Sequence, residues 1–264
     1  LRTQRLHPRA GTAPDAGGDV IHYHGGPISP LTVADMVWRG RHAFVSFERP
    51  DQIALAAEVS QSFALDNGAF SAWRTGKDLD IKGYAEWVRE WSRHPGFDWC
   101  LIPDVIDGSE QDNVGLIAQW RELSDFSISV PVWHMHESLE RLRFMTVAWR
   151  RIAIGSSGAY AVVGSPDWWA RMGEAMKAVC DEHGRPKARL HGLRMLNPEI
   201  FTHLPLSSAD STNVARNHAR ESRRYQLTNG MGAIVTTARV ESAQSAATWT
   251  PRASTFALFA DGAA

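Results

Sequence analysis

The stretch Ser62-Phe63-Ala64-Leu65-Asp66-Asn67-Gly68 is a short apolar run that ends in a carboxylate, an amide and a glycine. A run of that length bounded by turn residues reads as a buried strand that delivers its polar end to a loop. The same pattern recurs along the chain. Strands are predicted over Val20–His24, His42–Phe47, Ser62–Asp66, Phe97–Asp104, Val130–His136, Arg151–Gly155, Ala188–Gly192 and Leu206–Asp210. Amphipathic segments separate them. In Ile81–His94 the residues Tyr84, Trp87, Val88 and Trp91 fall at i, i+3, i+4 and i+7 on one helical face. Gln111–Leu123, Ser138–Arg150 (with Ser138 as N-cap) and Pro166–Glu182 are further helices. Eight strands alternating with helices predict an α/β fold, a single-domain (β/α)8 TIM barrel.

The size agrees with this reading. At 264 residues, with 44% hydrophobic and 22% charged side chains, the chain has material for one large core. The 28 basic and 29 acidic residues leave a net charge of -1, so any site for a polyanion must be local. The 11 tryptophans recur mostly at helical spacing and are expected in the core. Cys100 and Cys180 cannot build a disulfide framework or a Cys-rich zinc site, which fits a reducing cytoplasm. No stretch approaches the roughly 20 apolar residues of a membrane span, and Leu1 to Gly18 lacks an apolar leader. The expected organisation is a flexible segment over 1–18, the barrel over 19–240 and a tail over 241–264. Within this, Thr228–Val240 forms a closing helix or strand.

In such barrels chemistry collects where the strands end. Here those ends read His24-Gly25-Gly26-Pro27, Ser46, Asp66-Asn67-Gly68, Pro103-Asp104, His134-Met135-His136, Gly155-Ser156-Ser157-Gly158, His191-Gly192 and Asp210-Ser211-Thr212-Asn213. Three carboxylates, Asp66, Asp104 and Asp210, therefore converge on one mouth and predict an enzyme. Carboxylates in a partly dry cleft divide labour, one ionised as nucleophile and another with a raised pKa as acid or base. Transfer at a sugar carbon with retention requires such a pair. Gly68, Gly155, Gly158 and Gly192 would let a flat ring approach the backbone. Gly155-Ser156-Ser157-Gly158 lacks the lysine and spacing of a nucleotide loop, and no cofactor is expected. Arg216, Arg220, Arg223 and Arg224 share a helical face just after Asp210, with His218 and Tyr225 interleaved, and could hold a phosphate backbone.

A rival reading uses His22 and His24, two apart on the first strand and hence on one side. With His136 and Asp210 they sketch a metal-hydrolase site similar to that of the amidohydrolase barrels. Against it, the sixth strand ends in Gly155-Ser156 where that superfamily offers another histidine, and no lysine follows the fourth strand.

The two acidic segments resemble the tRNA-guanine transglycosylases, and more closely their phage and bacterial relatives, the 7-deazaguanine DNA transglycosylases. Leu65-Asp66-Asn67-Gly68-Ala69-Phe70 is similar to the family's T-D-S-G-G-F, whose Asp is the acid/base. Ala209-Asp210-Ser211-Thr212-Asn213-Val214-Ala215-Arg216-Asn217 is similar to D-C-V-L-P-T-R-N-A-R, whose Asp is the nucleophile. The ordered match spans roughly Ile21 to Arg224, and only these two segments are specific. The resemblance implies Asp210 and Asp66 as catalytic residues. It implies substrate contacts from Asp104, which takes the place of the purine-reading acid, and from Asn67, Phe70, His136, Gly155, Ser156, His191 and Gly192. Trp133-His134-Met135-His136 stands where the family has V-Q-G-G, so the contacts to the base differ. The family's zinc-binding Cys/His cluster has no counterpart, which favours DNA over tRNA as partner. The expected function is exchange of a guanine in DNA for a free 7-deazapurine of the preQ0 type, and whether a partner protein supplies strand separation is left open by the sequence. Hydrolytic base excision on the same fold, including in phage defence, is the alternative. A non-catalytic nucleic-acid-binding barrel is disfavoured because carboxylates in the mouth repel phosphate.

Overall fold

The computed structural model describes residues 20–224, 226–227 and 230–251. Among these, nine strands, β1 (Ile21–Gly25), β2 (His42–Ser46), β3 (Ser62–Asp66), β4 (Phe97–Leu101), β5 (Ser129–Val130), β6 (Val132–His134), β7 (Arg151–Gly155), β8 (Arg189–Gly192) and β9 (Ser208–Ser211), form one sheet. The order is β5-β4-β3-β2-β1-β9-β8-β7-β6, and every pairing is parallel. The two outer members are neighbours in sequence. The single strand expected over Val130–His136 is broken at Pro131, which has no N–H to give to a ladder. β5 pairs with β4, β6 pairs with β7, and the Pro131 carbonyl still accepts from the Ala153 N–H at 2.9 Å. The sheet thus nearly closes on itself as the expected barrel of eight positions, in a single domain.

The helices are α1 (Leu31–Trp38), α2 (Ile53–Val59), α3 (Ala69–Thr75), α4 (Ile81–Trp91), α5 (Glu110–Leu123), α6 (Leu139–Ala148), α7 (Pro166–Val179), the short α8 (Pro198–Phe201), α9 (Asn213–Arg224) and α10 (Met231–Glu241). Their starts are written in the sequence. Ser109 makes a full capping box with Asp112, and Asp80, Ser138 and Ser165 each accept a first-turn N–H. Several ends fall short of expectation. β4 stops at Leu101 before Pro103, α4 at Trp91, α6 at Ala148 and α7 at Val179.

Alternation along the strands divides the molecule into layers. Tyr23, Phe44, Ala64, Trp99, Leu101, Val130, Val132 and Ala153 fill the barrel interior, the two alanines leaving room for the rings. The residues between them, such as Ala43, Phe63, Leu65, Ile152, Ile154, Leu190 and Ala209, turn outward to the helices. Of the tryptophans, Trp38, Trp120, Trp133 and Trp168 are fully buried, whereas Trp73 is 48% exposed. One extra residue in β4 shifts its register against β3 between Phe63 and Leu65. This bulge lets the consecutive residues Asp98 and Trp99 both meet Tyr23 in the interior. Tyr23 O–H donates to Asp98, Trp99 Nε1 donates to Tyr23 at 3.1 Å, and Arg151 lies 3.7 Å from Asp98.

The outward face of β1 corrects the metal-hydrolase reading. His22 and His24 do share a side, but it is the side of the last helix. His22 Nε2 pairs with the Ala243 carbonyl at 3.2 Å and His24 Nε2 with Glu241 at 3.1 Å, away from Asp210 and His136. The residues that follow α10 are tied to the barrel as far as Trp249. Gln244 accepts from Val20 N–H, and the N–H groups of Ala246 and Trp249 bond to the carbonyls of Leu204 and Gly184. The closing segment is a helix. The expected flexible segment over 1–18, the final residues 252–264, Tyr225, Thr228 and Asn229 lie outside the described residues. Among the described residues no helix is long and apolar enough to cross a membrane.

Candidate active site

The inward positions at the carboxyl ends of the strands supply the mouth. β2 and β3 pair Ser46 with Asp66, and β1 and β9 pair Tyr23 with Asp210. After Asp66 the chain turns through Gly68 at φ +81°, a left-handed position that also packs against Glu48 where a Cβ would have no room. That turn starts α3 and presents Phe70 to the mouth.

Asp66 is half-buried, and its carboxyl is pushed up to about 7. Burial is the main cause, and the charges of Asp210 and Asp104 add to it, while Ser46 and the Gly68 N–H pull the other way. Asp210 is differently supported. Its Oδ1 accepts the backbone N–H of Arg194 at 2.9 Å, and His191 Nε2 stands 3.4 Å from the same oxygen. Among the described residues Oδ2 has no hydrogen-bond donor and is free to meet a ligand.

Asp104 is held at both oxygens. Asn67 Nδ2 donates to Oδ1 at 2.7 Å, and His134 Nε2 lies 2.8 Å from Oδ2. Burial opposes a charged His134 ring, yet Asp104 and then Glu137 outweigh it and raise His134 above the usual range. Asn67 also donates to the Ile102 carbonyl and accepts the Ala69 N–H, so its amide is fully used in fixing Asp104. The residue that reaches Asp104 is His134. His136, the expected contact, is exposed and spans Ser157 Oγ at 2.7 Å and the Gly108 carbonyl at 3.0 Å, its ring stacked 5.8 Å from His134.

Two other expected substrate contacts are corrected. His191 is fully buried beneath the mouth, 4.7 Å from the Trp99 ring and 5.6 Å from Phe44. Burial keeps it below the usual histidine range despite Asp210, and its Nδ1 pairs with Ser208 Oγ at 2.9 Å. It supports the carboxylate rather than a substrate. Gly192 faces outward, where an added Cβ would come within 2.9 Å of Leu206 and Met195. Gly155, by contrast, turns inward against His134, and Ser156 is buried with its Oγ taking the Trp168 indole N–H.

A residue the sequence reading missed stands at the centre. Arg194 adopts φ +59°, donates its Nη2 to the Ser156 carbonyl at 3.3 Å and lays its guanidinium 4.6 Å over the Phe70 ring. It joins α3, the loop after β7 and the end of β9. A lone arginine in a loop carries no signal in sequence, although the need for a positive charge among three acids does.

On α9, Arg216, Arg220, Arg223 and Arg224 are all exposed, and Val214 and Ser222 face inward. Gly232 of α10 lets the two helices touch, since a Cβ there would collide with the Ser222 backbone nitrogen. Between α8, α9 and α10 lies a cavity of about 430 Å³ whose walls include Arg220, Arg224 and Arg239. Among the described residues no group of three His, Cys, Asp or Glu is placed to hold a metal ion.

No family model and no curated protein matches the chain. Solved structures do, as folds. A tryptophan synthase α-subunit variant from Pyrococcus furiosus is similar at a TM-score of 0.50 and 10% identity, over 84% of this chain and 96% of that one. Two tryptophan synthase α-chain structures from Legionella pneumophila give TM-scores of 0.52 and 0.50. Both are 11% identical over 85% of this chain, covering 90% and 92% of theirs. At such identity the likeness shows that the chain is a TIM barrel.

Proposed function

We propose that this chain is an enzyme that exchanges a purine base in DNA for a 7-deazapurine through a covalent sugar–enzyme intermediate. The observation that supports this best is the Asp66–Asp210 pair. One carboxyl is raised into the range of a working acid and base, and the other keeps an oxygen free in the same mouth. In the first half-reaction Asp210 Oδ2 bonds to C1′ as the C1′–N9 bond breaks. The electron pair leaves with the purine, which takes the proton of Asp66. In the second, Asp66 removes the ring N–H proton of the incoming base, whose nitrogen attacks C1′ as the bond to Oδ2 breaks. No electrons are gained or lost overall. Asp104, fixed by Asn67 and His134, offers the base a hydrogen-bonding edge, and Phe70 offers it a stacking face. The resemblance of the two acidic segments to transglycosylases and the exposed arginines of α9 favour DNA as the polymer. A target base must leave the stack to enter such a mouth.

The experiment that tests the reading is incubation with guanine-containing single-stranded DNA followed by denaturing electrophoresis. Wild-type protein is expected to give a protein–DNA adduct that a 7-deazapurine discharges, and Asp210→Asn, whose amide is a poor nucleophile, is expected to give none. Wild-type adduct yield from Asp210→Asn would reassign the nucleophile.

The rate of base release should also depend on pH. The folded pKa of Asp66 lies above its unfolded value, so the acid form persists up to about 7 and is lost above it. Single-turnover base release should fall as pH rises through that value. The same sign applies to stability. The native state holds this proton more tightly, so wild type loses stability as pH rises towards and through 7. Asp66→Asn should be the more stable protein at pH 8, by on the order of 2 kcal/mol. A flat rate profile together with unchanged stability in Asp66→Asn would remove Asp66 from this role.

Binding should be salt-dependent despite the near-neutral chain. Replacing Arg220 and Arg223 by Ala should weaken every DNA sequence alike and flatten the log K versus log salt slope by about 0.7 to 1 for each phosphate that is no longer neutralised. An unaltered slope would mean that the strand enters from another side.

A further inference from the structure

Arg194 is one of two non-glycine residues with positive φ among those described, the other being Gln226. A left-handed conformation is strained for arginine, and such strain persists where the surroundings impose it. Here the turn does two things at once. It aims the Arg194 N–H at Asp210 Oδ1, 2.9 Å away, with Leu196 N–H on the Asp210 carbonyl at 3.0 Å. It also throws the side chain across the mouth, so that a flat guanidinium lies 4.6 Å over Phe70. The side chain is exposed, and among the described residues only its Nη2 has an acceptor, the Ser156 carbonyl. Its Nε and Nη1 offer free donors. Asp210 and Arg216 are both within electrostatic range of it.

Two features of this arrangement bear on the ligand. The mouth carries Asp66, Asp104 and Asp210, which repel any anion brought in with a substrate. Arg194 and Arg216 are the cations set against that repulsion, and a guanidinium fork matches phosphate oxygens in two parallel hydrogen bonds. The place that the guanidinium occupies on Phe70 is also the place where a planar heterocycle would stack.

We infer that Arg194 is a recognition residue for the phosphate next to the reacting nucleotide, and that without substrate its guanidinium fills the base's place on Phe70. As the base slides onto Phe70, the fork turns to the adjoining phosphate beside Arg216. The preferred substrate is then a nucleotide within a strand rather than a nucleoside. This rests on the functional reading above and adds the group that reads the backbone at the reacting position.

Arg194→Gly separates side chain from backbone, because glycine is at ease at this φ and keeps the N–H that serves Asp210. Its thermal stability should equal or exceed that of wild type. The probe is a single-stranded oligonucleotide with one guanine, in which either flanking phosphate is replaced by a neutral methylphosphonate, with affinity read by fluorescence anisotropy at fixed salt. Neutralising one of the two flanks should cost wild type about tenfold in Kd and should cost Arg194→Gly almost nothing further. An equal loss in both proteins, or no loss at either flank in wild type, overturns the inference. If the wild type forms its adduct in that case, the functional reading stands alone. If no adduct forms with any strand, the functional reading falls and takes this inference with it.

Discussion

Two carboxyl groups, Asp66 and Asp210, face one another's charge at the rim of a nearly closed sheet, and the rest of the mouth is arranged around their repulsion. Placing two acids in a partly desolvated cleft raises the pKa of whichever has the poorer support. Asp210 takes the Arg194 N–H on Oδ1, with His191 Nε2 3.4 Å from the same oxygen. Asp66 has Ser46 and the Gly68 N–H, but burial and the charges of Asp210 and Asp104 outweigh them and push its carboxyl up to about 7. The division into nucleophile and proton carrier that we propose rests on this difference in surroundings.

That division depends on layers beneath the mouth. Burial among Trp99, Phe44 and Tyr23 holds His191 below the usual histidine range, and Ser208 fixes its ring from the other nitrogen. Those rings fit the barrel because Ala64 and Ala153 face them and because the β4 bulge brings Asp98 to Tyr23 and Trp99 beside it. Arg151, 5.2 Å over the Trp99 ring and 3.7 Å from Asp98, balances that half-buried acid from below. The site is therefore a surface of the barrel core, and core substitutions at Trp99 or Tyr23 would be felt at Asp210 through His191.

The barrel is legible in the sequence because its apolar runs and helix caps are strong local signals. Ser62–Asp66 and Arg151–Gly155 fall where their sequences place them, and Ser138 caps its helix. Pro131 inside the Val130–His136 run is a visible warning of the break between β5 and β6. The convergence of Asp66, Asp104 and Asp210 is legible from strand ends alone. What is not legible depends on facing and on distant partners. Strand alternation puts His22 and His24 on one side, but only the packing of α10 decides that this side is the outer one. His191 and Gly192 are adjacent and take opposite faces, one under Asp210 and one against Leu206. Arg194 lies in a turn with no periodicity, and its importance comes from three partners far apart in sequence.

The protonation state of Asp66 decides whether the mouth can work in this way, and the most direct measurement is its own titration, followed by carbon-detected NMR of the side-chain carboxyl in wild type and in Asp210→Asn. The expected midpoint is near 7 in wild type. In Asp210→Asn the midpoint should drop but remain above the ordinary aspartate value, because burial persists when the neighbouring charge is gone. An Asp66 that titrates at the ordinary aspartate value in wild type, or that takes no notice of Asp210, would contradict the division of roles between the two acids.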